Sequence, residues 1–106
     1  MDGGRELTTP QRVDFALQGR VAVITGAAQG IGAACARRLT QDGARVALWD
    51  VADAAGAELA AELNRSGIRA HYLHCDVSSK REVDAALAST LATFGHVDAL
   101  VNNAGI

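Results

Sequence analysis

Apolar residues in this chain gather in short runs, separated by stretches where they recur every three or four positions. The run from Arg20 to Thr25, RVAVIT, is brief, β-branched and nearly continuous, as expected of a strand buried on both faces of a parallel sheet. A glycine-rich turn follows it directly. Ile31, Cys35 and Leu39 then recur at spacing four, with Ala34 and Ala36 between them, until Asp42 and Gly43 give a helix stop. RVALWD, Arg45 to Asp50, predicts a second strand. In DAAGAELAAELNRSG, Leu59 and Leu63 sit one turn apart on a second helix that Gly67 ends. Gly56 inside that helix weakens it by about 1 kcal/mol relative to Ala.

AHYLHC, Ala70 to Cys75, predicts a third strand, and SKREVDAALASTLATFG a third helix. There Ser79 and Glu82 fit the S-x-x-E capping box, Val83, Leu87 and Leu91 line one face, and Gly95 occupies the C-terminal glycine position. VDALVN, Val97 to Asn102, is the fourth strand.

Strands alternating with helices through short loops predict an α/β fold with a doubly wound parallel sheet, because parallel neighbours need crossover helices. Right-handed crossovers place the strands in the order 3-2-1-4, the first two helices on one face and the third on the other. One helix then covers the second face alone, and the fourth strand is an apolar edge, a route to association. The isolated chain is therefore expected to be marginally stable or to associate. Residues 1–14 mix Gly, Thr, Pro and charge without period and read as a flexible lead-in; the folded unit is expected over 15–106.

Composition narrows the class. The chain has 106 residues, 49% hydrophobic and 21% charged, with a net charge of −2, as in ordinary soluble domains. No basic face for nucleic acid is indicated. No apolar run approaches the roughly 18 residues of a membrane span, and the first residues lack the apolar core of a signal peptide. A cytoplasmic protein is the expectation. Cys35 and Cys75 lie far apart without metal-ligand spacing and read as reduced, buried small residues.

The candidate chemistry begins in TGAAQGIG, Thr25 to Gly32, where Gly26, Gly30 and Gly32 leave a strand and open a helix in the spacing G-x-x-x-G-x-G. Glycines let the backbone turn sharply and approach a ligand, and exposed N–H groups at a helix start attract a pyrophosphate. The bland alternative is a tight strand-to-helix turn with no ligand. The pattern G-x-G-x-x-G does not fit, because Cys35 stands where its third small residue belongs, and no Lys follows as in a P-loop.

Asp50 ends the second strand 18 residues after Gly32, where a carboxylate can accept hydrogen bonds from both ribose hydroxyls of an adenosine and repel a 2′-phosphate. Val51 follows it, and Gln29 rather than a cation precedes Gly30, so NAD is favoured over NADP. The alternative is a surface Asp that caps the second helix. His71, His74, Cys75 and Asp76 are all metal-ligand types. On a strand, however, His71 and His74 point to opposite faces, and no second pair stands at ligand spacing, so no metal is assigned.

Four motifs now stand in order: Thr25-Gly26-x-x-x-Gly30-x-Gly32 after strand one, Asp50 after strand two, Asp76-Val77 after strand three, and Asn102-Asn103-Ala104-Gly105 after strand four. Together they resemble the short-chain dehydrogenase/reductase family from about Phe15 to the last residue. The resemblance implies a Rossmann-type fold, here in an incomplete form of four strands and three helices. It implies that Gly26, Gln29, Gly30, Ile31 and Gly32 line a pyrophosphate and its ribose, and that Asp50 selects NAD. It implies that Asp76 and the Val77 amide meet the adenine, that Asn103, Ala104 and Gly105 floor the site near the nicotinamide ribose, and that Asn102 helps hold the central strands.

The family's proton relay uses a Ser, a Tyr in Tyr-x-x-x-Lys and that Lys, all after the NNAG strand. Tyr72, the single tyrosine, is followed four residues later by Asp76 and lies in strand three, so no catalytic residue is assigned. The resemblance implies the NAD(H)-binding part of an oxidoreductase that moves hydride between a nicotinamide and an alcohol or carbonyl substrate. It implies a homo-oligomer for the complete enzyme. The alternative is a truncated, non-catalytic nucleotide-binding or interaction module. A methyltransferase-like domain shares the strand-turn-helix start but explains neither the glycine spacing nor NNAG.

Overall fold

The computed structural model describes residues 16–65, 67 and 69–104. The lead-in expected over residues 1–14 and the role expected of Gly105 lie outside the described residues. Seven elements follow in order: β1 (Val21–Thr25), α1 (Gly30–Gln41), β2 (Arg45–Asp50), α2 (Asp53–Leu63), β3 (Ala70–His74), α3 (Lys80–Phe94) and β4 (Ala99–Asn102).

The four strands form one parallel sheet in the order β3-β2-β1-β4, the predicted 3-2-1-4. Register aligns the strand ends that matter. Thr25 lies beside Trp49 on one side and Asn102 on the other, and Asp50 lies beside His74.

Residues of β1 alternate between two cores, as the two-residue strand period requires. Ala22 and Ile24 join Val46 and Leu48 under Ala33 and Ala36 of α1 and Leu59 of α2. Val23 joins Ala47 and Trp49 under Ala86 of α3, with Val83 and Phe94 packed against them. The first two helices thus share one face and the third covers the other, as the crossovers demand.

Several local expectations are corrected by tertiary packing. On α1, Ile31 is 70% exposed, and the buried stripe is Gly32, Ala33 and Ala36. Small residues let this helix approach the sheet, and a Cβ at Gly32 would collide with the Gly26 carbonyl oxygen. On α3, Leu87 and Leu91 are exposed, while Ala86 and Thr90 face the sheet. The large Trp49 side chain lies beneath them, its indole N–H donating to Thr90 Oγ1 at 3.2 Å, and only small residues fit above it.

Helix α2 stops at Leu63 rather than running on towards Gly67. Asn64 follows, and its side chain behaves like a strand: Oδ1 accepts the Arg69 and Ala70 amides at 2.7 and 2.8 Å, and Nδ2 donates to Ala70 O at 2.9 Å. Gly56 looks like a helix weakness in sequence. Its face carries the Tyr72 ring, which a Cβ there would overlap. β4 begins at Ala99 rather than Val97. Asp98, just before it, accepts the Val21 amide on Oδ2 at 2.8 Å, and Leu100 on this edge strand is 61% exposed. Among the described residues, no helix is long and apolar enough to cross a membrane.

Candidate functional site

The loops at the C-terminal ends of the four strands carry the candidate residues, as sheets of this topology place their sites. Asp50, Val51, Cys75, Asp76, Val77 and Ala104 line one cavity of about 290 Å³. The sheet therefore brings together residues from the ends of β2, β3 and β4 that lie as far as 54 positions apart in sequence, from Asp50 to Ala104.

Gly26 and Gly30 both adopt left-handed backbone, at φ +61° and +59°. Neither angle suits a residue with a Cβ. Gln29, the exposed residue before α1, is extended and caps the helix with no side-chain bond, and the first turn contains no acidic residue. Helix N–H groups in the first turn have no intrahelical acceptor, so this end is an open set of donors. A Cβ at Gly30 would meet nothing within 4 Å among the described residues, which leaves the approach to that end unobstructed. Ile31 stands exposed beside it.

Gly26 and Gly32 are the closely packed members of the turn. Gly26 lies against the Ala104 backbone, and Asn103 Nδ2 donates to the Gly26 carbonyl at 3.1 Å. Thr25 completes the junction: its hydroxyl accepts the Asn103 and Ala104 amides and donates to Asn102 Oδ1 at 3.1 Å. The NNAG segment is thereby bonded to the glycine turn. In the sequence Thr25 stands inside the glycine motif with nothing to mark its role, because the pairing of β1 with β4 that supplies its partners is not written locally.

Asp50 is half-buried. Its Oδ2 accepts the Ala28 amide at 2.9 Å, and its Oδ1 accepts the amides of Val51 at 2.7 Å and Ala52 at 3.1 Å. The carboxylate belongs to a cavity-lining residue and also ties the turn that leads into α2. It is not the helix cap itself, a position held by Ala52 without a side-chain bond.

Asp76 is exposed, and its Oδ1 accepts the amide and hydroxyl of Ser78, at 2.9 and 2.7 Å. These bonds hold its carboxyl below the usual carboxylate range. Oδ2 has no hydrogen-bond partner among the described residues. Its amide donates to Glu82 Oε1 at 2.9 Å. The predicted capping box is thus half formed: Ser79 Oγ accepts the Glu82 amide at 3.2 Å, but the Glu82 carboxylate reaches past Ser79 to Asp76. Glu82 is a positioning group that the sequence cue found for a different bond. Val77 lies exposed at the cavity rim.

Asp53 Oδ1 accepts the Tyr72 hydroxyl at 2.6 Å and meets His74 Nδ1 at 2.7 Å. Tyr72 Oη also lies 2.8 Å from the Asp50 carbonyl. Burial first, and then the Asp53 carboxylate, push the Tyr72 phenol far above its ordinary value. Cys75 is buried, and that burial raises its thiol pKa. Among the described residues, no three His, Cys, Asp or Glu side chains are grouped to hold a metal.

The family model for short chain dehydrogenase matches residues 20–106. The chain belongs to the short-chain dehydrogenase family. Among curated relatives, momilactone A synthase of Oryza sativa subsp. japonica is 48% identical over 90 residues, covering 85% of this chain and 32% of that protein. Tropinone reductase-like 2 of Erythroxylum coca is 46% identical over the same shares. The chain thus spans about a third of the length of the curated relatives it matches.

Two solved structures superpose closely. The 3-ketoacyl-(acyl-carrier-protein) reductase from Brucella melitensis, complexed with NADH, gives a TM-score of 0.80 at 43% identity, covering 85% of this chain and 36% of that one. An NAD+-bound xylitol dehydrogenase gives 0.80 at 37% identity, covering 85% and 35%.

Proposed function

We propose that this chain is the NAD(H)-binding part of an oxidoreductase acting on an alcohol or carbonyl substrate. The observation that carries this reading is the open, uncapped start of α1, reached by a glycine turn whose Ala28 amide is bonded to Asp50, an acidic residue of the cavity lining. A dinucleotide has a pyrophosphate for the helix start and a ribose diol for Asp50. Glycine at positions 26, 30 and 32 keeps the turn close to the sheet and its donors uncovered.

Each remaining residue has a part. The amides of the α1 first turn, with Gly26, Gln29, Gly30, Ile31 and Gly32, bind the pyrophosphate and adjoining ribose. Asp76 offers Oδ2 to the adenine amino group, and the Val77 amide lies next to it. Asn103 and Ala104 floor the nicotinamide half. When bound, the nicotinamide would supply or accept hydride, and the chain's residues would orient it.

Asp50 favours NAD. Its negative charge disfavours a 2′-phosphate, and the cavity lining contains no Arg or Lys among the described residues. The NADH and NAD+ named in the two solved relatives support this choice. Tyr72 is not the proton donor of the reaction, since its ring rests on Gly56 and its hydroxyl on Asp53. The test is calorimetric titration of the wild type and Asp50→Ala with NADH and NADPH. Wild type should prefer NADH, and the variant should bind the two more evenly; an unchanged ratio overturns the assignment.

A further inference from the structure

We propose that Asp50 is also a positioning residue of the glycine turn, so that one carboxylate holds the pyrophosphate loop in shape and reads the ribose. This rests on the reading that the cavity takes a dinucleotide. Two consecutive amides stitch the turn to the end of β2: Ala27 donates to the Trp49 carbonyl at 3.3 Å, and Ala28 to Asp50 Oδ2 at 2.9 Å. The first bond needs only backbone; the second depends on the side chain. Ala28 is buried, so its amide has little access to water as a replacement partner.

The opposite oxygen is more fully used. Oδ1 accepts Val51 and Ala52, the residues that lead into α2. A carboxylate offers about four acceptor positions, and amides occupy three of them. The remaining position is on Oδ2, next to Ala28. A ribose hydroxyl that bonds there shares its oxygen with the pyrophosphate turn. Asp50 therefore joins two loops that contact different parts of one ligand, and substitutions made to change cofactor choice also loosen the phosphate site.

The test measures amide hydrogen exchange by NMR on the nucleotide-free full chain, for wild type, Asp50→Ser and Asp50→Ala. It adds the affinity of each for NAD+ and for a dinucleotide lacking both adenosine ribose hydroxyls. The expected result is an Ala28 amide that exchanges about tenfold faster or more in both variants, with α3 amides unchanged. The analogue should also bind Asp50→Ala about tenfold more weakly than wild type, although it has no hydroxyl for Asp50 to meet.

Unchanged Ala28 exchange with unchanged analogue affinity overturns the proposal, and a loss confined to NAD+ then leaves the cofactor reading intact. Faster Ala28 exchange in the variants than in wild type, with none of the three proteins binding either nucleotide, upholds the positioning role and removes the cofactor reading. Asp50→Ser keeps a polar group but is too short to reach the Ala28 amide, so it decides the question if Asp50→Ala fails to fold.

Discussion

The hydroxyl of Thr25 accepts the amide of Asn103 at 2.9 Å and that of Ala104 at 3.0 Å. One buried oxygen thus joins the end of β1 to the segment after β4, two pieces of chain 78 and 79 positions apart. Because the same hydroxyl donates to Asn102 Oδ1, its proton is committed and both amides meet a lone pair. The glycine turn and the segment Asn102 to Ala104 therefore keep their spacing through one side chain.

Thr25→Val keeps the shape and removes the oxygen. Two amides lose their acceptor, which should lower unfolding stability by about 1–3 kcal/mol, while Thr25→Ser should retain most of it. Urea denaturation of the three proteins checks this. Equal midpoints for Val and Thr would show that water reaches those amides.

Gly56→Ala should reverse the usual rule for helices. Propensity alone favours Ala by about 1 kcal/mol, but the new methyl would occupy the place of the Tyr72 ring. Overpacking of this kind costs about 1–3 kcal/mol and would draw Tyr72 away from Asp53. A net loss of about 1 kcal/mol is expected from denaturant midpoints. A gain would mean that the ring swings outward without penalty.

Gly32→Ala places a methyl against the Gly26 carbonyl and close to Asn103 Nδ2. The helix must then withdraw from the turn, with a stability loss of about 1–3 kcal/mol and at least about tenfold weaker dinucleotide binding. Gly30→Ala has the space but not the backbone freedom, since φ is +59° there. Isothermal titration separates the two: retained affinity in Gly32→Ala would contradict the close approach.

The contact between His74 and Asp53 should respond to pH. Asp53, acting chiefly as hydrogen-bond acceptor, raises the His74 pKa above its ordinary 6.5, with Glu82 and Asp76 adding attraction. That contribution is complete below pH 6.5 and fades as pH rises through the raised value. Tyr72 first, then His74, lowers the Asp53 pKa below its ordinary 3.8, so its share is complete above pH 3.8 and is lost on further acidification. The stability difference between wild type and His74→Gln should therefore be largest between pH 3.8 and 6.5 and should shrink in high salt, both groups being exposed. A difference independent of pH would sink the ion-pair reading.

Much of the fold was legible because its signals are local. RVAVIT and RVALWD are apolar runs of the kind that parallel strands require, and Asp42-Gly43 and Gly95 mark helix ends at the residues where the helices stop. The exposed leucines of α3 were illegible for the opposite reason. Leu87 and Leu91 are the more apolar choice, yet Trp49 across the interface admits only Ala86 and Thr90, and nothing near α3 in sequence announces that indole.

Glu82 teaches the same lesson at the site. The capping cue correctly marked the start of α3, but the carboxylate's partner is Asp76, set by the path of the loop. Asp50 admitted two readings because a carboxylate at a strand end suits a ribose and a turn equally. Its third amide, from Ala28, comes from a neighbouring strand's loop and needs the β1–β2 pairing to be known.

Trp49 is the single tryptophan of the chain, buried with its indole N–H on Thr90 and its carbonyl on the Ala27 amide, one residue before Asp50. Its emission is therefore an intrinsic optical probe of the cleft. A dry indole emits at short wavelength, where a reduced nicotinamide absorbs, so cofactor docking should quench tryptophan light and sensitise nicotinamide emission without any attached dye. Occupancy of the cleft and loss of the α3 packing would then give separate spectral signatures: energy transfer for the first, and a red shift for the second.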